Sequence, residues 1–439
     1  MAVLSDLSRG TLALPFPSTR IFYWGKTLSK FISVQLVVQG LGVASGILLV
    51  RTLSQQEYAY FTIAFAMQST MNVLADSGVG IGLTAIGGRV WHDPRRFGQL
   101  VNTALRIRRW LATIAALIVA PILLWFLTGK GAGVPYAGLL TLLVLLSLSC
   151  QLSTGVLMIV PRLCKQIGRI QRLDLIASGA RLVLLVAAYF IFLNAAVATF
   201  AALGSVLVQF LLLKRWVADN IDIAAPPSTE DQAAIGRIIK NEAPNSVFYC
   251  VQGQLTVWLV AFFGNAQKVA EVGALGRLSV VFTVVGAVMT SIVLPGFARC
   301  QESRRLLRLY LRIVGCFCLF GALLVALAAL FPDQLLWVLG SKYAHLKNEL
   351  VLMMGLSALS AVVGAMWSLN TARAWIRYSW LNIPGVLITQ AVLLLLINVS
   401  TIEGVLLFGI LSLLPTVALN SMLTCRGLLG KSPLVSLGQ

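Results

Sequence analysis

The chain has 439 residues, of which 58% are hydrophobic and 11% charged, with a mean hydropathy of +0.89. That much apolar surface cannot be hidden in one water-soluble core, which excludes a soluble globular protein and makes lipid the solvent. A net charge of +19 and a pI near 10.2 would fit a nucleic-acid binder. The basic residues, however, fall in every second short connector between apolar runs, which is the positive-inside pattern of a membrane protein.

In hydrocarbon, only helices and closed barrels satisfy every backbone group, and runs of roughly 20 apolar residues predict spanning helices. Such runs occur at 31–50, 59–85, 110–128, 136–160, 174–194, 196–215, 243–263, 275–297, 311–331, 349–370, 379–398 and 401–424. The expected fold is therefore an all-α polytopic membrane protein of about twelve transmembrane helices.

Residues 1–30 carry Arg9, Arg20, Lys26 and Lys30 with Pro15 and Pro17, and form an expected cytoplasmic arm. They contain no long apolar run, so a cleaved signal peptide is not expected and the first span serves as its own insertion signal. The second run is too long for one straight helix, and Asp76-Ser77-Gly78-Val79-Gly80 predicts a bend or break within it.

Of the 34 Lys and Arg residues, 27 fall on the side of the two termini, among them Arg89, Arg95, Arg96, Arg106, Arg108 and Arg109 after the second span. Five (Arg51, Lys130, Lys268, Lys342 and Lys347) fall on the other side. This bias places both termini in the cytoplasm. The longest polar connector, 216–242, contains Pro226-Pro227-Ser228-Thr229-Glu230-Asp231 and divides the spans six and six. It is the expected cytoplasmic linker between lobes at 31–215 and 243–425, with a tail at 426–439.

The halves resemble each other. Glu57-Tyr58-Ala59-Tyr60-Phe61 matches Glu271-Val272-Gly273-Ala274-Leu275 at an offset of 214 residues. Six spans per half give the two repeats one orientation, as in transporters whose site lies between parallel repeats.

Ionisable residues inside spans cost about 2.5–3.5 kcal/mol each on insertion scales and need a partner or a wet cavity. Arg181, Arg277 and Asp76 are the candidates. Arg181, seven residues into its expected span, lies too deep to reach the cytoplasmic interface easily. Arg277 is expected near the outer surface, where its long side chain can snorkel. Asp76, read as the only acid well inside a span, could bind a proton or cation, or else pair with an arginine or cap the broken helix. Gln35 and Gln39 in the first span match Gln252 and Gln254 in the seventh, as expected of a shared hydrophilic cavity, with interhelical hydrogen bonding as the alternative. Glu242 and Asn245, at the cytoplasmic mouth of the seventh span, are expected to cap it.

Other motifs carry less. Gly78-Val79-Gly80-Ile81-Gly82 follows no strand and lacks dinucleotide spacing. None of the seven cysteines falls in an expected outward loop, and no disulfide framework is expected. No P-loop is present, and no cofactor or metal is expected.

Leu53-Ser54-Gln55-Gln56-Glu57-Tyr58-Ala59-Tyr60-Phe61 followed by Leu74-Ala75-Asp76-Ser77-Gly78 resembles the polysaccharide transporter family, the O-antigen (Wzx-type) and exopolysaccharide flippases of the multidrug and oligosaccharidyl-lipid exporter superfamily. Leu336-Trp337-Val338-Leu339-Gly340-Ser341-Lys342-Tyr343 is similar to that family's Phe-Gly-x-x-Tyr loop, with Leu339 in place of Phe; Ala59 likewise replaces a usual Gly. The resemblance runs over roughly residues 25–425. It implies two six-helix lobes around a cationic central cavity that opens alternately to either side of a bacterial inner membrane. It implies a polyprenyl-diphosphate oligosaccharide as substrate and the lipid bilayer as surroundings, with a polysaccharide polymerase and chain-length machinery as partners. Arginine suits such a substrate because its planar fork pairs with diphosphate oxygens. The alternatives are a multidrug/cation antiporter of the same superfamily, a membrane glycosyltransferase or polymerase, and a lipid II flippase, which usually has fourteen spans.

Overall fold

The computed structural model describes residues 18–164, 166–222, 224–289, 293–294, 297, 303–373, 375 and 378–429. Within these, the side chains of residues 18–32, 167, 241–242, 303–304 and 429 are outside the description, and with them Lys26, Lys30 and Glu242. The second half of the eighth expected span, 290–297, is largely outside it too.

The chain is a multi-pass membrane protein built from helices. Its first half comprises α1 (Ser18–Thr52), α2 (Gln55–Asp76), α3 (Val79–Val90), α4 (Pro94–Gly129), α5 (Val134–Leu157), α6 (Ile159–Leu163), α7 (Ile167–Ile191) and α8 (Ala195–Ala218). The second comprises α9 (Thr229–Phe263), α10 (Ala266–Leu278), α11 (Val280–Val288), α12 (Ser303–Leu330), α13 (Pro332–Leu339), α14 (Lys347–Ala372), α15 (Asn382–Leu396), α16 (Ile402–Ser412) and α17 (Leu414–Leu429). Among the described residues, 11 helical segments are long and apolar enough to cross a membrane, with α16 and α17 forming one of them.

Helix α2 makes the expected twelve. Its 22 residues reach about 33 Å at 1.5 Å per residue, yet it is too polar to count among the apolar spans. The reason is its surroundings: α2 is enclosed by α4, α5, α8, α9 and α10. Its Gln68, buried, donates to Ser147 Oγ at 2.7 Å. A helix walled by protein rather than lipid can carry such groups, provided each finds a partner.

The expected break after Asp76 is present. Ser77 and Gly78 adopt left-handed conformations with φ of 32° and 97°, which end α2 and start α3. Gly at 78 tolerates this geometry without the Cβ penalty that other residues incur.

The first-half helices pack as α1 on α7, α7 on α8, α8 on α5, α5 on α4 and α4 on α2. In the second half, α12 packs on α14, α14 on α16, and α15 on α16 and α17. The two sets meet mainly where α2 faces α10 and α9. Thus the two segments related by the 214-residue offset form the central contact between the halves.

The connector after α8 is not a free tether. Asp222 N donates to Pro94 O at 3.0 Å, Asn102 Nδ2 to Ala225 O at 2.7 Å and Ser228 N to Thr103 Oγ1 at 2.9 Å. Arg96 makes a two-point ion pair with Asp231, which is 2% exposed. Ser228 caps α9, which then continues unbroken for 35 residues through the expected linker boundary.

Candidate functional site

The structure brings two of the three charged sequence candidates into range of one another. Arg181 on α7 and Arg277 on α10 come from different halves, and their guanidinium groups lie within electrostatic range of one another. Counting back from the helix ends at Ile191 and Ala266, both sit roughly 15 Å deep at 1.5 Å per residue, near the middle of a ~30 Å hydrocarbon core. This corrects the expectation for Arg277. Asn265 caps the N-terminus of α10 by accepting from Lys268 N at 2.9 Å, so the helix starts earlier than its apolar run and carries Arg277 inward. Arg181 is deeper as well, because α7 begins at Ile167.

Arg277 is held. Its Nε donates to Tyr58 Oη at 3.2 Å, its guanidinium lies 6.0 Å from the Phe61 ring and 5.7 Å from that of Phe65, and its stem packs against Gly46. Arg181 has less: its Nε is sealed from solvent and has no hydrogen-bond partner among the described residues. Two like charges thus lie at mid-depth, one of them with a buried donor that has no partner among the described residues. An unsatisfied buried donor costs about 1–3 kcal/mol, and a charged group more.

Above this pair, at the end opposite the basic connectors, the halves are bolted together. Arg51 donates to Trp337 O at 2.6 Å and Val338 O at 2.9 Å while stacking on the Trp337 ring. Lys342 returns the contact to Leu53 O at 2.7 Å, Tyr58 Oη donates to Gly273 O at 3.2 Å, and Lys130 donates to Gly264 O. Gly273 permits the closest approach, since a Cβ there would sit 2.5 Å from Thr62 Oγ1. The Tyr343 phenol is sealed beneath these contacts, and burial together with Tyr58 and Glu271 pushes its pKa up.

The offset-related carboxylates reinforce the same end. Glu57 accepts from Tyr136 Oη at 2.6 Å and Ala195 N at 2.7 Å. Glu271 accepts from Gln267 Nε2 at 2.8 Å and lies 2.9 Å from His345 Nε2.

Toward the basic connectors lies an open cavity of about 1070 Å³, lined by the first half together with Ser246 of α9. Its walls include Asp76, Arg108, Gln151, Arg162 and Gln209. Asp76 Oδ1 lies 3.4 Å from Arg108 Nη2, and Arg108 Nη2 also donates to Asn72 Oδ1 at 3.3 Å. Of the three roles expected of Asp76, pairing with an arginine is the one observed as a contact. Two corrections follow. Arg108 is not a solvated connector residue; its side chain is 8% exposed on the cavity wall. Nor is Asp76 the only acid inside a span, because Asp174 on α7 accepts from Gln209 Nε2 at 3.1 Å and Glu271 is buried in α10.

None of the four glutamines lines this cavity. Gln252 and Gln390 exchange reciprocal bonds of 3.1 and 2.7 Å inside the second half. Gln254 donates to Ser69 Oγ at 3.3 Å across the α2–α9 contact, beside Asn245 in a smaller cleft. Gln35 and Gln39 are half-buried on α1 and do not line the large cavity. Interhelical bonding thus describes Gln252 and Gln254.

No protein-family model matches the sequence, and no curated protein matches it. Solved structures do. A multidrug resistance MATE family transporter of the MOP superfamily, in its inward-facing conformation, superposes with a TM-score of 0.62 at 17% identity, covering 90% of this chain and 98% of that one. An outward-facing MATE transporter gives 0.55 at 18% identity, covering 91% and 94%. A MOP superfamily transporter from Pyrococcus furiosus, described as having a binding pocket of reverse polarity, gives 0.52 at 16% identity over the same shares. The chain has the two-lobed helical fold of the MATE-like transporters of the MOP superfamily.

Proposed function

We propose that this chain is an alternating-access transporter that moves a polyprenyl-diphosphate-linked oligosaccharide from the cytoplasmic to the outer leaflet of a bacterial inner membrane, for synthesis of a cell-surface polysaccharide. The observation that carries this reading is the Arg181–Arg277 pair, two guanidinium groups at mid-depth with an unfilled donor. A diphosphate would supply the missing oxygens, while the glycan occupies polar space between the lobes and the prenyl tail stays in the bilayer. With the basic connectors placed in the cytoplasm, the bolted end faces outward and the conformation is inward-facing.

The multidrug/cation antiporter reading draws on the fold likeness to multidrug transporters. Exporting cations would call for free carboxylates in the cavity, and here Asp76 is engaged by Arg108. The reverse polarity described for the Pyrococcus protein supports the view that this fold can carry an inverted charge. Deleting the gene in its native host tests the proposal. Lipid-linked oligosaccharide should accumulate on the cytoplasmic leaflet and be cleared by the wild-type gene but not by Arg181→Gln at matched protein level. Normal outward delivery in a deletion strain without a redundant flippase would reject it.

A further inference from the structure

We propose that the cavity of about 1070 Å³ on the first-lobe side is a second anion-binding site, in which Arg108 takes a carboxylate or phosphate group and Asp76 is the internal counter-anion that the ligand displaces. This site is separate from the Arg181–Arg277 pair and does not depend on the lipid-linked oligosaccharide reading.

The argument begins with an under-used guanidinium. Arginine presents five donors, and its Nε and Nη2 share one edge that fits two oxygens of a planar anion. In Arg108 the Nη2 of that edge makes only two long contacts, 3.3 Å to Asn72 and 3.4 Å to Asp76. Its Nε has no partner among the described residues, although the side chain is more than nine-tenths buried. Asp76 thus touches the edge at one point and leaves the two-point geometry unmade.

The position of Arg108 is built into the wall. A Cβ at Gly155 would lie 2.5 Å from Arg108 Nη1, so the guanidinium lies flat against α5 where only glycine leaves room. Asp76 has somewhere else to go. It sits over the first turn of α3, with both carboxylate oxygens 3.3 Å from the Cβ position of Gly80, where the helix N-terminus favours a negative charge. Its side chain is 39% exposed, so releasing Arg108 does not strand it in apolar surroundings.

The rest of the cavity suits a polar anion. Arg162 supplies a second cation, with Asp174 in its electrostatic range, and Gln151, Gln209 and Thr84 offer groups of the kind that bind hydroxyls. The volume of about 1070 Å³ would admit more than a single sugar.

The test uses purified full-length protein carrying Arg181→Gln and Arg277→Gln, which removes any contribution from the pair between the lobes. Calorimetry would measure binding of glucuronate, inorganic phosphate and, as a neutral control, glucose. Adding Asp76→Asn removes the competing carboxylate while leaving Arg108 in place, and should tighten anion binding about tenfold without affecting glucose. A merely structural ion pair predicts no such gain. Arg108→Gln should abolish anion binding, and Arg108→Lys, which keeps the charge but not the fork, should weaken it. Should Arg108→Gln fail to fold, the Asp76→Asn comparison still decides. Binding of one anion and not the other identifies its source as sugar acid or phosphate. Equal or weaker binding to the Asp76→Asn protein, or undiminished binding to folded Arg108→Gln, overturns the proposal.

Discussion

Gly273→Ala should spring open the bolted end of the molecule. The new methyl would lie 2.5 Å from Thr62 Oγ1 and 2.7 Å from its Cγ2. Thr62 cannot easily retreat, because it is 8% exposed, β-branched and hydrogen-bonded at 2.8 Å to Tyr58 O. Overpacking of this kind costs about 1–3 kcal/mol. The clash exists only while α2 and α10 are in contact. The helix-propensity gain of Ala over Gly, about 1 kcal/mol, applies to both conformations and cancels. The equilibrium should therefore move toward the state open at this end by about 5- to 150-fold. Spin labels at Ser54 and Ser341, exposed positions on opposite sides of the seam, would report it in a background lacking the seven native cysteines. Wild type should give mainly the short distance and Gly273→Ala a longer one. An unchanged distance distribution in folded protein would refute the idea that this contact sets the balance.

Three further outcomes follow from the same contacts. Arg51→Ala combined with Lys342→Ala removes hydrogen bonds between the halves, each worth about 0.5–1.5 kcal/mol, and should lengthen the same interspin distance. Arg181→Met removes a buried donor without a partner and a like-charge neighbour, so thermal unfolding of the purified protein should shift upward while transport is lost. A downward shift would mean that Arg181 has a stabilising partner. Gly340→Ala forces a side chain into φ of 103°, at a cost of about 1–3 kcal/mol, and should lower the unfolding temperature by several degrees.

Much of this architecture was legible in the sequence because lipid leaves the backbone few choices. The break after Asp76 could be read from Ser77-Gly78, whereas the 214-residue offset pointed to a repeat and not to the contact that its two segments make. What escaped was depth. Asn265 is a plain N-cap, and reading it would have started α10 at Ala266 and carried Arg277 to mid-membrane. Arg108 escaped for a different reason. It stands among five other arginines after the second span, and only the packing of α4 on α5, with room left by Gly155, separates it from its solvated neighbours. Gln252 looked like a cavity residue because its partner, Gln390, lies 138 positions away.

The most direct measurement is reconstitution. Purified protein in liposomes, supplied with a fluorescent polyprenyl-diphosphate oligosaccharide in one leaflet, should speed its appearance in the other well above the rate in empty liposomes. Arg181→Gln/Arg277→Gln protein should fall back to that background while remaining folded. Wild-type protein that leaves the background rate unchanged, or a double variant that transports as fast as wild type, would contradict the assignment of this site to an anionic lipid-linked substrate.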